Sequence, residues 1–484
     1  MKVRLVLIEK EDRQENRVLG CSGIMLDEKY VIATGNLFQD STKYISEDLQ
    51  PGKLHAELFI NYDAIVNIVW RENELYNVKN ARIFATFISG KMKNSSTHIF
   101  QNWAVDSIDN NRNLNDILSQ VFILTFQEEN LEDLKRVLTE WWASVASLEV
   151  TKGDTLFVRT VPFGNRDFID SCTKGIVSNI LGQDSCFILS DCPTTPGAEG
   201  SPVYLLNSNQ ASTELPVGIV LVSVSWWKGE WVGLTLIVDV KSILLELIDV
   251  PIRTLNVKNK NSKIIATTEF SLVQIYSGNN WGTAILLDAE KGIFITNSHV
   301  IESNQVRCFY KDKSWTATLI YKAQEPNALD IALIKSNTSL QDLPLRSITI
   351  SRKIYKLGDI VYSAGFSLFS KECRPTPTLT KGCISQLSPS MVKTTCSIHP
   401  GASGGAILDD DGLLVGVIVC NIKFHESGTA VIYPRVNAAV PYSAVADTIS
   451  KFMEIRDLSV GGRNFYATNR DIRDSAWIRL ENKL

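Results

Sequence analysis

Short apolar runs set the rhythm of this chain. Val217–Val224 reads Val-Gly-Ile-Val-Leu-Val-Ser-Val and Val415–Val419 reads Val-Gly-Val-Ile-Val, and similar β-branched and aromatic stretches recur between turn residues in both halves. Runs of that length bounded by Gly, Asn, Asp and Ser are strand signals, and many in series predict antiparallel barrels. The opening Met1–Lys10 has a short apolar stretch broken by charge, which predicts a first strand and neither a secretory leader nor a membrane span.

Helical spacing appears in two places. With Asn130 as N-cap, Leu131, Leu134, Val137, Leu138, Trp141 and Trp142 fall on one stripe and predict a helix packed between barrels. After Ser443, Val445, Ile449, Phe452 and Met453 predict a second helix. Between the halves, Asn256–Lys263 is polar apart from Val257. It predicts a linker over 251–265 that separates a domain at 1–250 from one at 266–456, with a tail at 457–484.

The two halves also repeat each other. Residues 20–38 can be laid over the later Gly-Thr-Ala-Ile-Leu-Leu-Asp and Gly-Ile-Phe-Ile-Thr-Asn-Ser-His-Val-Ile, which puts Asn36 where His299 stands. Gly153-Asp154, Thr173-Lys174-Gly175 and Pro196-Gly197-Ala198 match Gly358-Asp359, Thr380-Lys381-Gly382 and Pro400-Gly401-Ala402 in the same order. Glu199 then falls where Ser403 stands, and Gln120, in Gln-Val-Phe-Ile-Leu, is the counterpart of Asp330. A duplicated domain whose first copy lacks the polar residues of the second is the simplest account.

Those polar residues carry the chemistry. A serine hydroxyl is a poor nucleophile at neutral pH and needs an imidazole to take its proton and a carboxylate to orient that imidazole. The second half supplies His299, Asp330 and Ser403 in that order, 31 and 73 residues apart. Gly401 permits a tight turn that aims the N–H groups of Gly401 and Ser403 at one point, as an oxyanion hole requires.

Composition leaves this open and closes other classes. The chain has 484 residues, 44% apolar and 21% charged, with length for two to three domains. A formal charge of −4 gives no footprint for nucleic acid or an acidic membrane surface. Nine cysteines, at 21, 172, 186, 192, 308, 373, 383, 396 and 420, show neither a CxxC pair nor zinc spacing, and predict reduced thiols in an intracellular protein. The chemistry calls for no metal and no cofactor.

Gly292-Ile-Phe-Ile-Thr-Asn-Ser-His-Val, Asp330-Ile-Ala-Leu-Ile and Gly401-Ala-Ser-Gly-Gly-Ala-Ile-Leu resemble the trypsin-like superfamily in its HtrA/Deg branch, over about residues 266–456. The resemblance implies an all-β fold of tandem trypsin-like domains, each of two antiparallel β-barrels, with a C-terminal helix, and serine endopeptidase activity in the second. It also implies that Ser397, six residues before the nucleophile, lies at the base of the primary pocket, with Val419, Cys420 and Asn421 in its wall. A pocket without a carboxylate implies small or moderately apolar residues, cysteine among them, before the scissile bond.

The last residues, Asn482-Lys483-Leu484, are similar to the Ser-Lys-Leu address read by the peroxisomal import receptor. A tandem trypsin-like chain with a degenerate first copy, reduced thiols, no PDZ domain and this terminus resembles the peroxisomal processing proteases of the branch. That family removes N-terminal targeting leaders from imported matrix enzymes, processes other matrix proteins and cleaves itself. The resemblance implies imported proteins with leader peptides and the import receptor as partners, neither nucleic acid nor a membrane span, and a peroxisomal matrix address. A homo-oligomer stays open. Two alternatives stand beside this reading: a Deg-like quality-control protease of cytosol or nucleus, and a non-catalytic binding or chaperone protein with a vestigial triad. The first copy reads as a scaffold, a substrate or regulatory module, or an inhibitory segment removed by cleavage in the linker.

Overall fold

The computed structural model describes residues 1–12, 17–35, 37, 51–55, 65–99, 114–126, 131–206, 212–213, 215–227, 230–248, 263–323, 329–367, 376–426, 429–447 and 449–450. Asn36, Asn130, most of the expected linker, and Asn482, Lys483 and Leu484 lie outside them. The chain divides into two compact units, Met1–Asn259 and Lys260–Leu484.

In the second unit, Leu272–Ser277, Asn280–Asp288, Ile293–Thr296, Gln305–Tyr310, Lys313–Lys322 and Ala332–Ser336 close into one antiparallel barrel. Ile360–Gly365, Thr378–Leu387, Val392–Thr394, Ala406–Leu408, Leu414–Glu426 and Thr429–Pro441 close into another. Strand alternation sets the inside of each. Along Gln305–Tyr310, Val306, Cys308 and Tyr310 are buried while Gln305 and Arg307 are exposed, as successive side chains on a pleated strand must be. Val273, Ala284, Phe294, Val306 and Ile334 fill the first barrel, and Val361, Ile384, Ile407, Ile418 and Ala439 the second.

The first unit repeats this plan with decoration. Val3–Asp12, Arg17–Leu26, Tyr30–Thr34, Ile65–Glu72, Leu75–Ile88 and Gln120–Thr125 form a ring closed by pairing of Leu75–Ile88 with Gln120–Thr125, and the short Leu54–His55 adds to one edge. Thr155–Thr160, Ser171–Leu181, Phe187–Ser190, Pro202–Leu205, Gly218–Trp227 and Glu230–Asp239 close its second barrel. The expected helix is Leu131–Val145, with Leu134, Val137, Leu138, Trp141 and Val145 buried. Trp141 is fully buried because its indole N–H reaches Pro216 O at 3.1 Å, so an aromatic surface is sequestered without stranding a donor.

The duplication extends to individual hydrogen bonds. Gly153 N–H donates to Val177 O and Val177 N–H to Asp154 O; Gly358 N–H donates to Ile384 O and Ile384 N–H to Asp359 O. Cys192 and Cys396 both turn Sγ toward a strand carbonyl, that of Leu156 and of Val361.

Four helices fall outside the sequence-based expectation: Gly90–Ile99, Leu114–Ser119, Val240–Leu247 and Lys263–Ser271. The last overlaps the expected linker. It is held by tertiary contacts rather than by an amphipathic stripe: Thr267 Oγ1 donates to Gly412 O at 2.9 Å, and the helix start lies against Gly412. Of the expected C-terminal helix, residues 446–447 and 449–450 are helical, with Val445 and Ile449 buried and Ile449 N–H on Val445 O.

Candidate active site

Strand Ile293–Thr296 delivers a short turn in which three consecutive side chains or amides grip the segment at 330–331. Asn297 Nδ2 donates to Asp330 O at 2.7 Å and Ser298 Oγ to Ile331 O at 2.7 Å. His299 N–H then donates to Asp330 Oδ1 at 3.0 Å, and its ring Nδ1 lies 2.5 Å from Asp330 Oδ2. Both carboxylate oxygens are therefore committed, one to the backbone of His299 and one to its ring. A carboxylate accepts only, so Nδ1 carries the proton and Nε2 presents its lone pair, as a general base must.

Ser403 sits in a loop whose every turn is fixed. Ala402 N–H donates to His399 O, Gly405 N–H to Ala402 O, and Gly404 N–H to Ile418 O. Thr283, from the other barrel of the unit, donates through Oγ1 to Gly401 O at 2.8 Å and through its N–H to Ser403 O at 2.8 Å, while its Oγ1 accepts from Phe366 N–H at 2.9 Å. With those carbonyls pinned, the N–H groups of Gly401 and Ser403 have no acceptor among the described residues. They are the two donors an oxyanion hole needs. Gly401 adopts φ +92°, and a Cβ there would meet the Trp281 ring at 2.2 Å.

His299 and Ser403 converge on Gly282. A Cβ on Gly282 would lie 2.9 Å from Ser403 O and 3.0 Å from Val300, the neighbour of His299, so the absence of a side chain lets the two loops approach. The Ser403 hydroxyl itself donates to Val419 O at 3.1 Å and makes no hydrogen bond to His299 among the described residues. Attack on a carbonyl requires it to turn from Val419 to the imidazole, a tightening common between free and substrate-bound sites.

The segment at 396–398 is clamped carbonyl by carbonyl. Asn437 Nδ2 donates to Cys396 O, Thr380 Oγ1 to Ser397 O and Asn421 Nδ2 to Ile398 O. Ser397 and Val419 are buried, and Cys420 and Asn421 are half-buried. The other amide atom of Asn421, Oδ1, is buried without a partner among the described residues. Sequence reasoning missed Thr283, Thr380 and Asn437, whose roles depend on which strand each faces. Asn297 and Ser298 stood in the quoted motif without a role.

The matching positions of the first unit carry other residues. Ser22, in place of Thr283, gives its Oγ to Gly197 O and accepts from Val161 N–H, as Thr283 does for Gly401 and Phe366. Ile24 pairs with Ile32 and Ile32 with Ile123; Ile285 pairs with Ile295 and Ile295 with Leu333. Gln120 stands three residues before Ile123 as Asp330 stands three before Leu333, and Asn36 four after Ile32 as His299 stands four after Ile295. Gln120 is buried, its Nε2 3.4 Å from Thr86 Oγ1, and Glu199 takes the place of Ser403.

Two closed antiparallel barrels, an imidazole held by a carboxylate and a serine loop with two N–H groups unpaired among the described residues make up the parts a trypsin-like site uses, and residues 282–417 match the trypsin-like peptidase domain family. The chain is similar to the peroxisomal leader peptide-processing proteases of Homo sapiens and Mus musculus. The human protein is 24% identical over 340 residues, covering 64% of this chain and 57% of that one, and the mouse protein is 25% identical, covering 67% and 60%. The chain thus spans about three fifths of the length of these relatives. Serine endoprotease DegS of Escherichia coli is 25% identical over 199 residues, covering 38% of this chain and 52% of its own.

Proposed function

We propose that the chain is a serine endopeptidase that acts in the peroxisome, removes N-terminal leader peptides from imported proteins, processes other matrix proteins and cleaves itself. The observation that carries the catalytic part is the pairing of a doubly anchored His299–Asp330 unit with the unengaged N–H groups of Gly401 and Ser403. His299 Nε2 takes the Ser403 proton as the hydroxyl attacks the peptide carbonyl, Asp330 stabilises the imidazolium, and the Gly401 and Ser403 N–H groups hold the oxyanion. His299 then protonates the leaving amine, and water, activated by the same imidazole, hydrolyses the acyl-enzyme. Ser397, Val419, Cys420 and Asn421 line the primary pocket in this reading. The peroxisomal and leader-peptide parts rest on similarity to the human and mouse proteases.

Purified chain incubated with a peroxisomal precursor bearing its leader should release a mature protein with a single new N-terminus, and Ser403→Ala should release none. An uncut precursor with a chain that labels at Ser403 would retain the peptidase and remove the leader-peptide substrate. Imaging of the tagged full chain against a matrix marker tests the address: coincidence supports it, and a diffuse signal favours the quality-control alternative.

A further inference from the structure

The loop of the first unit that matches the serine loop is folded in the same way. Ala198 N–H donates to Thr195 O, Ser201 N–H to Ala198 O, and Gly200 N–H to Val220 O, bond for bond with Ala402, Gly405 and Gly404. Gly197 has φ +92°, as Gly401 does. The two N–H groups that stand free in the second unit therefore have counterparts in the first, at Gly197 and Glu199.

The first of these is already engaged. Gly197 N–H donates to Glu199 Oε2 at 2.7 Å, and Oε1 is buried with no partner among the described residues. Glu199 is 2% exposed. The way in is covered by backbone: Phe163 N–H donates to Pro196 O at 2.6 Å, and a Cβ on Gly197 would meet Gly164 N at 2.2 Å. Gly164 fits because Gly20 stands where the second unit has Trp281, and a Cβ on Gly20 would lie 2.4 Å from Gly164 O. Replacing the indole by glycine makes room for the Pro162–Gly164 turn over the relic loop.

The geometry points to a carboxylate-binding site in the first unit, the relic oxyanion hole, whose resident ligand is the side chain of Glu199 from the same loop. A carboxylate oxygen on the Gly197 N–H stands where the oxyanion of a tetrahedral intermediate, or the new C-terminus of a cut peptide, would be held. The first unit is a pseudo-protease that carries its own product mimic. Its cleft takes no peptide in the manner of an enzyme, and the Gly197 amide, costly to leave unpaired once buried, is satisfied from within. This rests on reading Gly401 and Ser403 as an oxyanion hole, but its test needs no proteolysis.

Hydrogen exchange of residues 195–201, followed by mass spectrometry in the full chain, reads the Gly197 amide. Glu199→Ala should exchange there about 10- to 100-fold faster than wild type, the loss of a hydrogen bond to a charged group. Sodium acetate, against sodium chloride at equal ionic strength, should restore protection and raise the melting temperature of Glu199→Ala alone. Unchanged protection in Glu199→Ala, or no response to acetate, overturns the assignment, as does an equal response of wild type. Should that variant fail to fold, the structure of Glu199→Gln decides: a carboxamide oxygen on Gly197 N–H supports the site, and a side chain swung out of the loop overturns it. Loss of catalysis at Ser403 would leave each of these readouts unchanged.

Discussion

Two glycines of the second unit separate the cost of an unusual backbone angle from the cost of a displaced catalytic loop. Gly358 has φ +87° and nothing within 4 Å of where a Cβ would stand. Gly358→Ala therefore incurs only the left-handed backbone penalty, about 1–2 kcal/mol. Gly401 has φ +92°, and its Cβ would fall 2.2 Å from two Trp281 ring atoms and 2.4 Å from Phe366 O. Both obstacles are close, a ring and a main-chain carbonyl, and Phe366 itself is held through its N–H to Thr283 Oγ1. The loop must move in Gly401→Ala, and the Gly401 and Ser403 N–H groups move with it. Loss of one oxyanion donor costs about 2.7–4 kcal/mol of transition-state stabilisation, or about 10²–10³ in kcat. Thermal unfolding and steady-state cleavage of a peptide substrate, run on both variants, test this. Gly358→Ala should lose a few degrees of Tm with kcat within about threefold of wild type, and Gly401→Ala should lose kcat by about 10²-fold or more. Wild-type turnover in Gly401→Ala, or an equal loss in both, would refute the reasoning.

Other predictions follow from single contacts. Asp330→Asn keeps the volume but offers an amide N–H to one of the two His299 donors, so kcat should fall by about 10⁴ with the unfolding midpoint little changed; a loss under tenfold would contradict the role given to Asp330. Phe294 is fully buried in the first barrel of the second unit, so Phe294→Ala should destabilise that unit by about 3–5 kcal/mol in denaturant titration. Burial raises the Glu199 carboxyl from 4.5 to about 6, with the N–H groups of Glu199 and Gly197 opposing the rise. The folded state thus binds the proton more tightly than the unfolded chain, so this group's contribution is fully present below pH 4.5 and lost as pH rises through about 6. The loss is on the order of 2 kcal/mol. The stability of wild type relative to Glu199→Gln should fall by about that amount as pH rises across the window, and an unchanged difference would contradict it.

Legibility in sequence tracked how local each feature is. The runs Val217–Val224 and Val415–Val419 announce the strands Gly218–Trp227 and Leu414–Glu426 because β-branched residues run on through backbone buried on both faces. The stripe of Leu131–Val145 is likewise a property of consecutive residues. His299, Asp330 and Ser403 stood out because each sits in a motif that glycine or a preceding apolar strand makes recognisable. Lys263–Ser271 was opaque: it lacks a stripe, and what holds it is Gly412, far along the chain. Thr283 looked like any strand threonine until the barrels met and its hydroxyl fell between Gly401 O and Phe366 N–H. Glu199 could be placed opposite Ser403 by counting, but its side chain folding back onto Gly197 is a fact of three dimensions.

Labelling of the purified chain with a fluorophosphonate probe, wild type against Ser403→Ala, addresses the central claim most directly, because only a serine activated by His299 within a working oxyanion hole reacts. The account predicts a single labelled residue, Ser403, in wild type and none in the variant. An unlabelled wild type at concentrations that saturate other serine hydrolases, or labelling that survives Ser403→Ala, would contradict it.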